Sequence, residues 1–269
     1  MTNGDNGQPL NILLSRDELL LVLSELDSDY IPGLDADPLG ELSADQQSLA
    51  STVAGRGLMA RELAGLTEEG DLLLHTALLT TVGVCAYSQN AIFAYRWPAG
   101  SDTPTRYFGH IRGDVSVAHT RPQDVLHLFS MQPSRAALID AIVAFSTQGV
   151  GPDKTGDYGE LIVSGVDFGR ARELAAAGDA DQAAVVLGGA ALPAAVALAD
   201  VLAASPDVTI LQTLKQLKSS EVQKRDFTVI AGQNGKGTWL VTANDDPDGV
   251  LTGRQTSPTS LCEYLNDSL

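Results

Sequence analysis

The segment 244–249 is the stretch of the sequence that comes closest to a known chemical site, because it imitates the start of a calcium-binding loop. Asn244, Asp246 and Asp248 occupy its first, third and fifth positions, where such a loop needs oxygen ligands. The twelfth position, which usually supplies a bidentate glutamate, is Gln255. We therefore expect a solvated turn here and no calcium site.

The segment 232–238 resembles a phosphate-binding loop only in part. Its Gly-Lys pair is Gly235-Lys236, and the glycine that must precede the pair in such a loop falls at Ile230. A phosphate loop also leads into a helix, whereas a β-rich segment follows here. Asn234-Gly235 is a strong hairpin signal, so we predict a turn between two strands.

The histidines offer a possible metal site. His110 and His119 flank a predicted hairpin at residues 112–114 and could meet across it, where a carboxylate would complete a site. No His-x-x-x-His or Cys-x-x-Cys spacing supports such a site. We expect histidines on a strand face or a helix surface, and no bound metal or other cofactor.

Catalytic nucleophiles are equally weakly indicated. The sequence has no Gly-x-Ser-x-Gly elbow. Its two cysteines, Cys85 and Cys262, are too few for a disulfide framework, and we interpret them as small half-buried residues. No catalytic constellation is visible, although a triad dispersed along the chain stays open.

Composition limits the classes of function. The chain has 269 residues, of which 44% are hydrophobic and 19% charged, as in globular proteins. Its net charge of −17 disfavours nucleic acids and anionic membranes as partners. The amino terminus resembles no signal peptide, and no apolar run reaches the roughly 18 residues of a membrane span. We therefore expect a cytoplasmic protein without membrane insertion.

Caps, periodicity and turn residues predict the order of the elements. Ser15 opens a helix through a capping box with Glu18, and Ser43 opens a second helix that ends or is interrupted at Gly55 and Gly57. Further helices are predicted at 59–65, 72–79, 122–129, 134–145, 167–177, 180–188, 191–204 and 258–267. Strands are predicted at 82–87, 91–97, 106–110, 115–119, 160–164, 208–217, 226–231, 238–243 and 250–253, with a short strand also possible at 12–14.

An internal match suggests a duplication. Residues 120–122 and 256–258 have similar sequences at an offset of 136 residues, and each precedes a predicted helix. We expect an α+β fold in which each half contributes helices, a four-strand antiparallel meander and a closing helix. The halves would be residues 1–147 and 160–269, joined by a linker at 148–159, and would form one central, mainly antiparallel sheet flanked by helical bundles with pseudo-two-fold symmetry.

The order of elements resembles the EspG family of cytosolic chaperones of type VII secretion. The resemblance rests on the opening segment at 14–19, on residues 48–58 with the helix and strands at 73–95, and on the two strand-to-helix ends at 115–129 and 250–265. These matches cover most of the chain but consist of apolar patterns without a chemical signature.

The resemblance implies a non-enzymatic chaperone that binds the apolar tip of a helical secreted protein of the PPE or WXG type, with no small-molecule substrate. Such binding would shield apolar surface on the partner. The candidate contact residues are Trp97 and Pro98, beside the loop at 98–104, and Lys215 and Lys218 in the basic segment 215–225. Two alternatives remain open at this stage: a scaffold or regulatory interaction module, and an enzyme with dispersed catalytic residues.

Overall fold

The computed structural model describes residues 10–35, 40, 42–148, 156, 158–217, 221–243 and 249–269. The strands are β1 (Asn11–Ser15), β2 (Ala64–Leu66), β3 (Leu72–Leu74), β4 (Asn90–Trp97), β5 (Thr105–Arg112), β6 (Val115–Gln123), β7 (Leu126–Gln132), β8 (Glu160–Ser164), β9 (Asp207–Lys215), β10 (Gln223–Ala231), β11 (Thr238–Ala243) and β12 (Val250–Thr256). The helices are α1 (Arg16–Glu25), α2 (Ala44–Ala60), α3 (Thr76–Ala86), α4 (Arg135–Ser146), α5 (Gly165–Ala176), α6 (Ala180–Val186), α7 (Pro193–Ala203) and α8 (Pro258–Asp267).

These elements confirm the predicted α+β class with mainly antiparallel strands. The described residues form two compact units that interleave along the chain. Unit 1 comprises the described residues within 1–91, 107–138 and 216–222, and unit 2 comprises those within 92–106, 139–215 and 223–269. The predicted linker lies mostly outside the described residues, so the division into two sequence halves stays a prediction. None of the described helices is long and apolar enough to cross a bilayer.

Unit 1 contains strands in the order β1-β7-β6-β5, all antiparallel to their neighbours. Helices α1 to α3 cover one face, where Ile12 of β1 and Phe129 of β7 lie opposite each other in register and join the buried core. The capping box predicted at Ser15 is present: the Glu18 amide donates to Ser15 Oγ at 3.3 Å, and Glu18 Oε2 accepts from the Ser15 amide at 2.8 Å.

Unit 2 contains strands in the order β4-β9-β10-β11-β12-β8. Helices α5 to α7 bury an apolar cluster on one face, which includes Ile230, Trp239 and Leu161. Helix α8 lies on the other face, where the Tyr264 ring meets the Phe227 ring edge-on with centroids 5.2 Å apart. The two faces of this sheet are therefore covered by different helices.

The predicted end of α2 at its glycines is wrong, because the helix continues through both of them to Ala60. A Cβ at Gly57 would lie only 2.7 Å from Glu18 Oε1, so the glycine lets this carboxylate approach the helix. Arg61 pairs with the same carboxylate at 2.6 Å. The glycine thus serves close packing here, and the segment 59–65, predicted as a separate short helix, contains the end of α2 and the start of β2.

Three further segments differ from prediction. The helix predicted at 72–79 begins later, because residues 72–74 form β3 and α3 starts at Thr76. Residues 82–87 belong mostly to α3, where tertiary packing overrides the strand preference of their β-branched side chains. Residues 122–129 form no helix: Pro122 lies in β6, at an irregularity in its pairing with β7, where a proline is tolerated. Since Pro258 instead begins α8, the predicted structural equivalence of these two prolines is wrong.

The two units share a different repeated feature. In each, a five-residue strand ends in a serine that caps the next helix, Ser15 before α1 and Ser164 before α5. Strand β1 pairs with β7, and β8 pairs with β12. An internal duplication remains a prediction, and these two serines mark equivalent points of the units better than the prolines do.

Candidate partner-binding surface

Strand β9 has one fully covered face and one partly exposed face. Asp207, Thr209, Leu211 and Thr213 are all buried, whereas the residues between them are not. Successive side chains of a strand point to opposite faces, so the intervening residues share one side of the sheet. We call this side of β9 the open face: Val208, Ile210, Gln212 and Leu214.

Helices α5 to α7 cover only part of the sheet face to which the open face belongs. Val208 pairs in register with Ile230, which is buried in the core beneath these helices. Ile210, the next residue of the open face, is 41% exposed. The helical cover therefore ends between β10 and β9, and it leaves apolar side chains of β9 accessible.

Aromatic residues of the neighbouring strand β4 extend the open face. Arg96 contacts Asp207, which belongs to the covered side of β9, so Arg96 lies on that side. By strand alternation, its neighbours Trp97 and Tyr95 lie on the side of Ile210. Both aromatic residues are half-buried. Half-buried aromatic rings beside exposed aliphatic side chains are typical of protein-binding surfaces.

A buried ion pair fixes the end of β4 beside this surface. Asp207 is 3% exposed, and its carboxylate accepts from Arg96, from the Ala99 amide at 2.7 Å and from Gln233 Nε2 at 3.3 Å. Arg96 Nη1 also donates to Gln148 Oε1 at 2.8 Å. Because Ala99 lies in the loop at 98–104, this network holds the loop and the preceding Trp97 in place.

Polar groups border the open face where β9 ends and β10 begins. The ammonium group of Lys224 pairs with Asp226 Oδ2 at 2.9 Å, and Gln212 Nε2 donates to Asp226 Oδ1 at 2.9 Å. Both members of the ion pair are about half exposed. An apolar centre with a polar border is the usual arrangement of a protein interface.

The structure separates the contact residues that the sequence suggested. Trp97 and Pro98 are half-buried and lie near Asp207, at the start of β9. Lys215 ends the same strand, about 26 Å away at the usual strand rise, and by alternation it lies on the side opposite to Ile210. Lys218 lies outside the described residues. Trp97 and Lys215 therefore do not form one continuous patch.

Ile210, Tyr95 and the Arg96–Asp207 pair were not predicted from sequence patterns. The segment from Asp207 to Lys215 alternates, but its polar residues Asp207, Thr209 and Thr213 occupy the buried side. The usual rule of apolar inside and polar outside would have assigned the faces in reverse. The alternation itself was a usable signal, whereas the arginine that pairs with the buried Asp207 is far away in sequence and gave no signal.

The structure also locates the residues considered for chemistry. His110 and His119 do approach each other, on β5 and β6, but with His127 they are buried in the core of unit 1. The residues described here include no group of three or more histidine, cysteine or acidic side chains able to hold a metal ion. The segment 244–248, which resembles part of a calcium-binding loop, lies outside the described residues. The expected lack of calcium binding there stays a prediction.

The two cysteines are poor nucleophiles. Burial raises the pKa of the Cys85 thiol far above its usual range. Burial, followed by a hydrogen bond to Asp140 and the charge of that carboxylate, raises the pKa of Cys262 to about 11. Cys262 Sγ lies 3.4 Å from Asp140 Oδ1, beside a cleft of about 420 Å³ between α4 and α8. A thiol in this state is protonated at neutral pH, and thiolate chemistry is disfavoured there.

Comparison with known structures shows the type of fold. The chain is similar to the Mycobacterium tuberculosis type VII secretion system chaperone EspG5, in a structure of that protein in complex with the PE25–PPE41 dimer. The TM-score is 0.63 over 97% of each chain, at 13% sequence identity. No family model and no curated protein matches the sequence. The chain therefore has an EspG-like fold, as the sequence resemblance implied.

Proposed function

We propose that this protein is a cytoplasmic chaperone or adaptor that binds an apolar segment of a helical secreted protein and turns over no small molecule. The observation that carries the proposal is the open face, an accessible apolar strip on an EspG-like fold. The structure of EspG5 is one of a chaperone in complex with a PE25–PPE41 dimer. By this similarity, we propose a helical protein of the PPE or WXG type as the partner.

The dimensions of the open face suit a helix. Strand β9 has nine residues and is about 26 Å long, which equals about 17 residues of helix at 1.5 Å per residue. A helix bound along it would contribute apolar side chains at three- and four-residue spacing. Ile210 and Leu214 would contact these side chains directly, and Trp97 would be the aromatic anchor at one end.

The charge of the chain fits the same role. A net charge of −17 makes copies of the protein repel one another, with or without a bound apolar partner, and this repulsion favours solubility. The buried pair of Arg96 and Asp207 fixes Trp97 before the partner arrives, so less ordering is required on binding.

The test is co-purification of the tagged protein from its native host, followed by mass spectrometry. We expect recovery of a helical secreted protein in a stoichiometric complex. A complex with a protein that is not secreted would favour a scaffold or regulatory module. Recovery of a small molecule that the protein converts would favour an enzyme, and either result would contradict the proposal.

A further inference from the structure

Three buried imidazoles form a cluster that the proposed function does not use. His110 of β5, His119 of β6 and His127 of β7 lie on adjacent strands of unit 1, and none is more than 1% exposed. The His119 ring is central: its centroid lies 6.1 Å from that of His110 and 5.2 Å from that of His127. It also stacks on Phe129 at 4.6 Å. We call these three histidines the imidazole cluster.

The closest contact in the cluster joins His119 and His127, and it depends on the protonation of these two rings. His119 Nε2 and His127 Nδ1 are 2.9 Å apart, so one nitrogen donates a hydrogen and the other accepts it. If both rings are protonated to imidazolium, each of these nitrogens carries a hydrogen, and the hydrogen bond is replaced by repulsion between two cations in a dry environment. This arrangement therefore requires that at least one ring of the pair is neutral.

The charges around the cluster also oppose protonation. Arg121 of β6 and Arg16 of α1 are cations near His127, and both lower its pKa. Asp35 raises this pKa but is already engaged, since its carboxylate pairs with Arg121 and its carbonyl accepts from Arg16 at 2.7 Å. Asp124, in the turn between β6 and β7, lies 3.8 Å from Arg121.

Burial is the main cause of the low basicity of these rings. It lowers the pKa of His110 to about 3, and together with the smaller effect of the two arginines it lowers the pKa of His127 to about 4. The pKa of His119 is also well below its usual range, first through burial and then through His110 and His127, while its contact with the backbone of Pro32 acts in the opposite direction. At neutral pH all three rings are neutral.

The segment 31–35 lies directly on the cluster. A Cβ added at Gly33 would be 2.5 Å from the Phe108 ring and 3.0 Å from His119 Cε1, so the backbone touches both rings. Ile31 and Leu34 are buried in the core of unit 1, and Asp35 holds the two arginines. The packing of this segment therefore depends on the stack of rings beneath it.

We propose that the imidazole cluster is an acid-sensitive latch, which holds segment 31–35 against the sheet while its rings are neutral and releases the segment when they are protonated. Release exposes Ile31 and Leu34 and frees Asp35 from Arg121. In the unfolded or open chain a histidine takes up a proton near pH 6.5. The latch is thus closed above about pH 6.5 and weakens as the pH falls toward the values of the folded protein.

The test measures amide hydrogen exchange of Ile31, Gly33 and Leu34 in the intact protein between pH 7.5 and pH 5. After correction for the intrinsic exchange rate, we expect the opening constant to rise at least tenfold between pH 6.5 and pH 5.5. If opening is coupled to the uptake of three protons, the opening constant can change by up to about 1,000-fold over one pH unit. The amide of Leu240 in β11 serves as the internal control and should keep its protection.

The matched variants separate the latch from general acid sensitivity. The double variant His119→Phe with His127→Phe keeps flat rings in the stack and should move the opening to lower pH by at least half a unit. The control variant His75→Asn changes an exposed histidine that caps α3 and should leave the opening unchanged.

Two results would overturn the latch. One is unchanged protection of segment 31–35 down to pH 5, and the other is loss of protection in both units at the same pH. If the double variant does not fold at pH 7.5, the exchange profile of the unmodified protein decides alone, because its steepness counts the protons taken up on opening.

Discussion

Arg96 and Asp207 form a buried ion pair that joins the end of β4 to the beginning of β9, with side chains only 11% and 4% exposed. Removing one partner of such a pair leaves a buried charge without compensation. We expect Asp207→Ala to lower the free energy of unfolding by about 3–5 kcal/mol. Urea denaturation of the purified protein measures this loss.

The matched control for this pair is Asp226→Ala. Asp226 pairs with Lys224 at 2.9 Å, but both side chains are about half exposed. Exposed pairs contribute at most about 1 kcal/mol, so the control should lose little stability. Equal losses of unfolding free energy in the two variants would show that the buried Arg96 does not need the Asp207 carboxylate to compensate its charge.

The second prediction concerns the close contact at Gly33. Gly33 and Gly40 both have positive φ, +89° and +79°, so an alanine is strained at either position. A Cβ at Gly33 would also meet the Phe108 ring at 2.5 Å, whereas no described atom lies within 4 Å of one at Gly40. We expect Gly33→Ala to cost about 2 kcal/mol more than Gly40→Ala, measured by thermal or urea unfolding. A similar cost for both would mean that segment 31–35 does not pack tightly on the ring stack.

Local signals in the sequence were sufficient for much of the fold. The caps at Ser15 and Ser43 and the turn at Asn234-Gly235 depend on residues three or fewer positions apart, and the structure contains each of them. The strand–helix order of the second half also follows local periodicity. These features were predictable because neighbouring residues alone decide them.

The failures came from contacts between distant residues. By residue type alone, Gly57 predicts the end of a helix. The helix continues because the Glu18 carboxylate, paired with Arg61, packs closely against this glycine. Residues 122–129 were predicted to form a helix because apolar residues fall at helical spacing, while β7 buries His127 and Phe129 at a spacing of two. The open face was hidden for the same reason, since the partners that let Asp207 be buried, Arg96 and the Ala99 amide, are distant in sequence.

The third prediction concerns Trp97 and the lysines. If Trp97 anchors the partner, Trp97→Ala should weaken the affinity by about 2 kcal/mol or more, mainly through faster dissociation. Charge reversal at Lys215 and Lys218 should mainly slow association, with an effect that fades at high salt. Surface plasmon resonance against the recovered partner measures both rates. The assigned roles would be contradicted if the lysine variant dissociated faster from the partner while Trp97→Ala dissociated at the unchanged rate.

The central claim is that the open face binds an apolar helical partner, and it is tested by changing one exposed isoleucine on each side of the sheet. Ile210 is 41% exposed on the open face, and Ile162 of β8 is 67% exposed on the other side. Isothermal titration calorimetry with the co-purified partner compares Ile210→Asp and Ile162→Asp, after both are shown to unfold like the unmodified protein. We expect Ile210→Asp to lower the affinity by at least tenfold and Ile162→Asp to leave it unchanged; an unchanged affinity in Ile210→Asp would contradict the account.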